Sequence, residues 1–314
     1  MKKELLILMV VVSFSLLTYW LVEPFAHSQM HAHVESNGFK YDDLPKMTKV
    51  GRVEQGKDLF NGAGACMGCH SIKSQGVPAM MDANTAASTY GVNPPDLSKA
   101  GAIYDGKFLA SLIKNPAHAL NVEHKYPKDG SKMHPMTSFY GAGGDIEQEV
   151  ADIVAYLVKI APEQKDITRK EAFENACGRC HAMRYKQWTQ IGEKKAFKYK
   201  KDELRFDADV LEYQEKVTKY MGKLPPDLSM YFRSRGENYI TTFIEDPQSH
   251  LKGTAMPRVG VNEDAAKKVV EYMEEAADPK KEERETVGMY VMLYMLVFII
   301  FAYLWKRQVW KYLH

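Results

Sequence analysis

Two short motifs place every cysteine of the chain next to a histidine. The sequence CMGCH occupies residues 66–70, and CGRCH occupies residues 177–181. In a C-x-x-C-H motif the two thiols add to the vinyl groups of a haem, and the adjacent imidazole becomes the proximal iron ligand. The sequence therefore predicts two covalently bound haem c groups. The attachment thiols would be Cys66, Cys69, Cys177 and Cys180, and the proximal iron ligands would be His70 and His181.

Two other uses of paired cysteines compete with haem attachment. Structural zinc sites are built from C-x-x-C pairs, and disulfides form in oxidising compartments. Neither use requires a histidine directly after each pair. The doubled motif therefore favours haem.

A six-coordinate electron-transfer haem needs a second axial ligand, and a methionine thioether raises its reduction potential. Met256 lies in a turn-like stretch before the last helical pattern of the second copy and is the candidate there. In the first copy, aligning Phe139 with Val259 selects Met136, with Met133 as the alternative and His134 as a third candidate. Two sites with histidine and methionine ligands have no open position for a substrate, which favours electron transfer.

The sequence PPDLS follows each motif. A proximal histidine usually donates its second ring N–H to a backbone carbonyl, and proline keeps its carbonyl although it lacks an N–H. Pro95 and Pro226 are therefore candidate acceptors, and Leu97 and Leu228 are expected to lie against the haem faces. The alternative is a proline turn in which Asp or Ser caps a helix.

Arginines near the second motif are candidate partners for haem propionates. Arg233 and Arg235 are the principal candidates, with Arg184 and Arg258 also close in sequence to that copy's motifs. Carboxylates of this kind prefer guanidinium partners. The alternative for each is a solvated surface arginine.

The order of features repeats along the chain, which predicts a duplication. Apolar residues at three- and four-residue spacing predict a helix from Ile146 to Ile160, and alternating patterns typical of strands are rare. The predicted fold is mainly α, with two tandem domains between an N-terminal and a C-terminal transmembrane helix. The predicted segments are an anchor at 1–23, domains at 24–162 and 163–285, a second transmembrane helix at 286–305 and a cytoplasmic tail at 306–314.

Two apolar segments frame the domains. Residues 5–22 are 18 positions without a charge, and residues 286–305 are 20. Both approach the roughly 20 residues that span a bilayer as a helix. The first exceeds the usual apolar core of a signal peptide, so a retained anchor is favoured over a cleaved signal. Basic residues after the second place both termini in the cytoplasm and the domains on the outer side.

The composition excludes several classes of protein. With 45% hydrophobic and 26% charged residues, the chain is typical of globular domains and not of disordered or collagen-like sequences. The formal charge of +2 gives no basic field of the kind that binds nucleic acid.

The second copy and its tail resemble cytochrome c1, the haem subunit of the quinol–cytochrome c reductase or bc1 complex. The resemblance rests on CGRCHAMRY at 177–185, LPPDLS at 224–229, RSRGENY at 233–239 and WKRQVW at 305–310. The first copy resembles a generic small cytochrome c domain of class I. The whole chain is similar to the di-haem cytochrome c1 of some bacteria.

This resemblance implies an electron-transfer subunit of a bacterial ubiquinol or menaquinol–cytochrome c reductase in the respiratory chain. Its partners would be the cytochrome b and Rieske iron–sulfur subunits, and its acceptor a soluble cytochrome c or a terminal oxidase. The domains would face the periplasm from the inner membrane. No substrate chemistry is expected in this chain alone.

Three other functions stay open. The di-haem subunit of a cbb3-type oxidase also carries two C-x-x-C-H domains on an anchor, although the C-terminal span argues against it. A di-haem peroxidase needs one haem with a displaceable ligand. A tethered electron shuttle would form no stable complex.

Overall fold

The computed structural model describes residues 2–30, 38–126 and 132–311 and is mainly α-helical, which confirms the predicted fold class. The predicted first domain includes residues 31–37 and 127–131, and the predicted tail includes 312–314; these lie outside the described residues. The N-terminal helices are α1 (Lys2–Leu17) and α2 (Glu23–Met30), joined by a π-helical turn (Thr18–Val22).

The two copies follow one another along the chain. The helices of the first copy are α3 (Val53–Asn61), α4 (Ala83–Tyr90), α5 (Ala100–Ile103), α6 (Gly106–Lys114), α7 (Pro116–Ala119) and α8 (Ile146–Ile160). The elements of the second copy are α9 (Arg169–Ala176), β1 (Trp188–Thr189), β2 (Gly192–Glu193), α10 (Lys200–Met221), α11 (Tyr231–Arg235), α12 (Glu237–Glu245), α13 (Pro247–His250) and α14 (Glu263–Ala277). Strands β1 and β2 form an antiparallel hairpin that pairs Trp188 with Glu193.

Helices at the two ends of the chain are long and apolar enough to cross a membrane. They cover Lys3–Ala26 and Lys281–Trp310, and the apolar windows of both are fully exposed. The chain divides after Ala277 into two compact units, and the second contains α15 (Lys281–Trp310). Helix α15 extends beyond the predicted apolar run of 286–305 at both ends. These findings are consistent with a membrane-anchored protein.

In the first copy, α3 crosses α8 at a glycine. A Cβ atom at Gly56 would lie 1.9 Å from the carbonyl oxygen of Asp152, so no larger residue fits without separating the helices. Beside the crossing, the rings of Phe60 and Tyr156 pack with centroids 6.0 Å apart. The two helices thereby form one wall of the first copy.

The equivalent pair in the second copy is α9 and α14. Helix α9 begins with a capping box, in which the Thr168 hydroxyl accepts from the Glu171 N–H and the Glu171 carboxylate accepts from the Thr168 N–H. The rings of Phe173 and Tyr272 pack 5.4 Å apart, as Phe60 and Tyr156 do in the first copy. The sequence repeat thus corresponds to a repeated helix pair.

The copies share a hydrophobic core. One buried cluster contains Ile103 and Phe108 of the first copy together with Phe173 and Val269 of the second. The backbone also pairs across the boundary, where the Asn262 N–H donates to the Ile103 carbonyl at 2.9 Å. The two copies are therefore packed as one body.

A short segment before α3 packs on the second copy. Tyr41 is 4% exposed, and its hydroxyl donates to the Val261 carbonyl at 2.6 Å. Asp43 of the same segment pairs with Arg258. This segment lies within the predicted first domain of 24–162, but its contacts are with the other half of the protein.

Candidate haem sites

Both C-x-x-C-H motifs fold into the same tight turn. In the first, the Cys69 and His70 N–H groups donate to the Cys66 carbonyl at 3.2 and 2.9 Å. In the second, the Cys180 and His181 N–H groups donate to the Cys177 carbonyl at 3.1 and 3.0 Å. None of the four thiols is in a disulfide. The turn therefore holds two unpaired thiols and an imidazole together in each copy.

Each histidine is paired with a proline carbonyl. His70 Nδ1 lies 2.9 Å from the Pro95 oxygen, and His181 Nδ1 lies 2.8 Å from the Pro226 oxygen. A carbonyl oxygen only accepts, so Nδ1 carries the proton and Nε2 keeps its lone pair. That is the state in which a histidine binds iron. The residues present thus fit a haem, although iron binding by these particular histidines remains a prediction.

Burial sets the protonation of these groups. It raises the pKa of Cys66 to about 11 and that of Cys177 to about 12. Burial also lowers the pKa of both His70 and His181, against the opposing effect of the proline carbonyls. At neutral pH the Cys66 and Cys177 thiols are therefore protonated and the two imidazoles neutral, and a neutral imidazole is the form that binds a metal.

An aspartate holds the PPDLS segment to the motif in each copy. Asp96 accepts from the Lys73 N–H at 2.9 Å and from the Ser98 N–H at 3.1 Å. Burial raises the pKa of Asp96, but hydrogen bonds from Ser71 and Ser98 outweigh it and leave the pKa below its usual value. The carboxylate is therefore ionised while it holds the turn.

The second copy repeats this arrangement. Asp227 accepts from the Arg184 and Ser229 N–H groups, both at 3.0 Å. The aspartate of each PPDLS segment thus accepts one hydrogen bond from the backbone just after the motif histidine and one from its own turn. From the sequence this aspartate is expected only as a helix cap, and its recurrence in both copies is the signal that points to a second role.

The two predicted leucines are also placed alike. The Leu97 N–H donates to the Ser71 carbonyl at 2.8 Å, and the Leu228 N–H donates to the Ala182 carbonyl at 2.9 Å. Leu228 is 8% exposed, and Leu97 is partly buried. Each leucine is therefore fixed beside the residue that follows the histidine.

The candidate axial methionines differ in exposure. Met133 is 72% exposed and lines an open cavity of about 370 Å³ with His134 and Tyr126. Met136 is partly buried, and its N–H donates to His134 Nδ1 at 3.1 Å. The half-buried position suits a ligand that must leave water, so Met136 remains the first choice and Met133 the alternative.

Met256 lies in a loop that both copies support. It is partly buried, and its N–H donates to the Thr254 hydroxyl at 3.4 Å. Two residues later, the Arg258 N–H donates to the Leu120 carbonyl of the first copy at 2.8 Å. The loop that carries the predicted ligand of one copy is thus anchored on the other.

The arginines near the second motif have separate surroundings. Arg233 and Arg235 are exposed on α11, and the Arg235 guanidinium lies 5.3 Å from the centre of the Tyr239 ring. Arg258 is 5% exposed and already paired with Asp43. Arg258 thus already has a carboxylate partner, which leaves Arg233 and Arg235 as the candidates to bind a haem propionate.

One link between the copies is not apparent from the sequence. The side chain of Arg179, inside the second motif, donates to the Asn93 carbonyl of the first copy at 3.0 Å. Asn93 stands two residues before Pro95. An arginine between two candidate attachment cysteines is visible in the sequence, but its partner is distant along the chain.

Comparisons with known proteins agree with parts of this description. Residues 53–161 match the family model described as Cytochrome c, and residues 258–313 match the one described as Cytochrome C1 family. A chain of a solved structure titled "Hyperthermophilic respiratory Complex III" is 23% identical, covers 46% of this chain and 75% of its own length, and has a TM-score of 0.38. No curated protein matches the sequence. Residues 53–161 thus form a cytochrome c domain, which implies covalently bound haem c and electron transport.

Proposed function

We propose that this chain, which carries a cytochrome c domain and a C-terminal segment of the cytochrome C1 family, is the di-haem electron-transfer subunit of a bc1 complex. It would take electrons from the Rieske iron–sulfur protein beside cytochrome b. It would pass them through two haems to a soluble cytochrome c or a terminal oxidase. Its domains would face the periplasm from a bacterial inner membrane.

The observation that carries the proposal of two haems is the repeated pairing of histidine and proline. His70 with Pro95 and His181 with Pro226 have the same geometry within 0.1 Å, at 2.9 and 2.8 Å. Bound haem would supply the redox chemistry. The residues of the chain hold each imidazole in one tautomer.

The cytochrome C1 match supports the choice of complex. It covers residues 258–313, which run from Arg258 through α14 to the membrane-spanning helix. A candidate membrane-spanning helix after the second predicted haem domain also argues against the di-haem subunit of a cbb3-type oxidase.

Purification through this subunit in mild detergent tests the assignment. Low-temperature EPR of the reduced complex should show one Rieske-type [2Fe–2S] cluster per chain, and a pyridine haemochrome assay should give two haems c for each chain. Copper or an oxygen-reactive haem in place of the cluster would instead indicate an oxidase. One haem per chain would overturn the proposal of two sites.

The order of transfer has its own test. We propose that the haem at Cys177 and Cys180 receives the electron, because it belongs to the half that resembles cytochrome c1. The variant His181→Ala should then block reduction of both haems by quinol, whereas His70→Ala should block only the first site. Normal reduction of the first haem in His181→Ala would show that the order is wrong.

A further inference from the structure

A closed ring of hydrogen bonds joins the two haem sites. Arg179 Nη1 donates to the Asn93 carbonyl at 3.0 Å. The Asn93 N–H donates to the Tyr213 hydroxyl at 3.2 Å, and that hydroxyl donates to the Arg179 carbonyl at 3.1 Å. Tyr213 is 4% exposed, so the ring is shielded from water. Each of the three residues contacts both of the others.

Through Asn93, the ring is connected to the predicted proximal ligand of the first site. Asn93 is followed by Pro94 and Pro95, whose φ angles are fixed by their rings. The Pro95 oxygen accepts from His70 Nδ1 at 2.9 Å. A stiff three-residue segment and one hydrogen bond therefore connect the attachment loop of the second site to the imidazole of the first.

Arg179 brings a positive charge to this junction. The residue is partly buried, and its Nε is buried without a hydrogen-bond partner. Within the described residues, no carboxylate forms an ion pair with it. A charge in such surroundings acts more strongly on its neighbours than one in water. A positive charge favours the reduced form of a nearby iron.

We propose that Arg179 is a positioning residue that couples the two haem sites. Its hydrogen bond to Asn93 holds the hydrogen-bonded pair of His70 and Pro95 against the second attachment loop. Its charge raises the reduction potential of the first haem. The inference rests on the proposed function, because it requires haem at both motifs. With haem bound at both motifs, the second site would be oxidised as it passes one electron to the first, which would be reduced, and the Rieske cluster of the proposed complex would replace that electron.

Four variants of the full chain separate position from charge. Arg179→Gln removes both the guanidinium hydrogen bond and the charge, Arg179→Lys keeps the charge, and Tyr213→Phe removes only the bridging hydroxyl. Arg205→Gln removes the same charge from an exposed position on α10 and is the matched control. Circular dichroism of each variant tests whether it is folded.

Redox titration gives the first readout. Arg179→Gln should make reduction of the first haem about tenfold less favourable, a shift of about 59 mV for a one-electron couple. Arg179→Lys should retain most of the potential, and Arg205→Gln should match the wild type. The titration wave that moves in Met256→Leu identifies the second haem.

Flash photolysis gives the second readout. Transfer between the haems should be slower in Arg179→Lys and Tyr213→Phe than in the wild type, because each variant alters hydrogen bonds of the ring that joins the two sites. Two haems per chain with no shift at the first site in Arg179→Gln would overturn this inference and leave the proposed function intact. One haem per chain would overturn the proposed function, and the haem count reveals this before any titration.

Discussion

Asp43 holds Arg258 in a two-pronged ion pair, with Arg258 Nη1 2.8 Å from Oδ1 and Nη2 2.7 Å from Oδ2. Arg258 is 5% exposed, whereas the side chain of Asp43 is 48% exposed. The pair ties the segment before α3 to the loop after Met256. A buried guanidinium that lost this partner would keep its charge without compensation.

Asp43→Asn should therefore destabilise the folded protein. Buried pairs cost about 3–5 kcal/mol to break and exposed pairs about 1 kcal/mol or less, so we expect about 1–3 kcal/mol for this half-exposed carboxylate. Denaturant unfolding of the detergent-solubilised chain measures the change. Asp42→Asn, at the neighbouring exposed position, is the control.

The same pair predicts a pH dependence. The hydrogen bond from Arg258 is the largest cause of the lowered pKa of Asp43. A carboxylate with a lowered folded pKa contributes stability above its unfolded pKa and loses it as the pH falls through the folded value. The difference in unfolding free energy between wild type and Asp43→Asn should thus be full at pH 7 and shrink in acid below about pH 4. A difference independent of pH would contradict this origin.

Replacing the predicted axial methionines should separate the two alternatives of the first copy. Met136→Leu should remove the thioether ligand and lower the potential of the first haem, since methionine ligation raises it. Met133→Leu should leave the thioether ligand and the potential of the first haem unchanged, because Met133 is 72% exposed. Near-infrared magnetic circular dichroism reports the ligand. Loss of the thioether signal in Met133→Leu alone would reverse the assignment.

The aspartates of the two PPDLS segments should act locally. Asp96→Ala removes the acceptor for the Lys73 and Ser98 N–H groups and should cost about 1–3 kcal/mol of stability. It should also change the EPR g values of the first haem only, because it loosens the His70–Pro95 pair. Asp227→Ala should produce the mirror-image result at the second haem. A change at both sites from either variant would refute local action.

The crossing of α3 and α8 predicts a strong effect of one methyl group. Gly56→Ala places a Cβ where the Asp152 carbonyl lies and should destabilise the first copy by about 1–3 kcal/mol. Gly106→Ala, whose Cβ would meet only the Met47 methyl at 3.7 Å, should be tolerated. Thermal unfolding of the two variants provides the comparison.

Much of the local chemistry follows from the sequence, because it lies in short motifs. The histidine–proline pairs connect residues that recur in the same order in both copies, and α8 and the two candidate membrane-spanning helices follow from apolar patterns. The Arg179–Asn93 contact could not be predicted, because local periodicity carries no information about partners in another copy. The placement of Tyr41 on the second copy is hidden for the same reason.

Main-chain atoms make many of the contacts between the copies. The Asp105 N–H donates to the Gly260 carbonyl at 3.0 Å, and the Arg258 N–H donates to the Leu120 carbonyl at 2.8 Å. Such bonds use atoms that every residue except proline carries, so many substitutions along this seam would leave them intact. Gly260 is an exception, because a Cβ there would lie 2.1 Å from the Phe108 ring. The second copy also depends on the first, because the first copy holds the Met256 loop. A descendant that lost the first copy would need another segment to hold that loop.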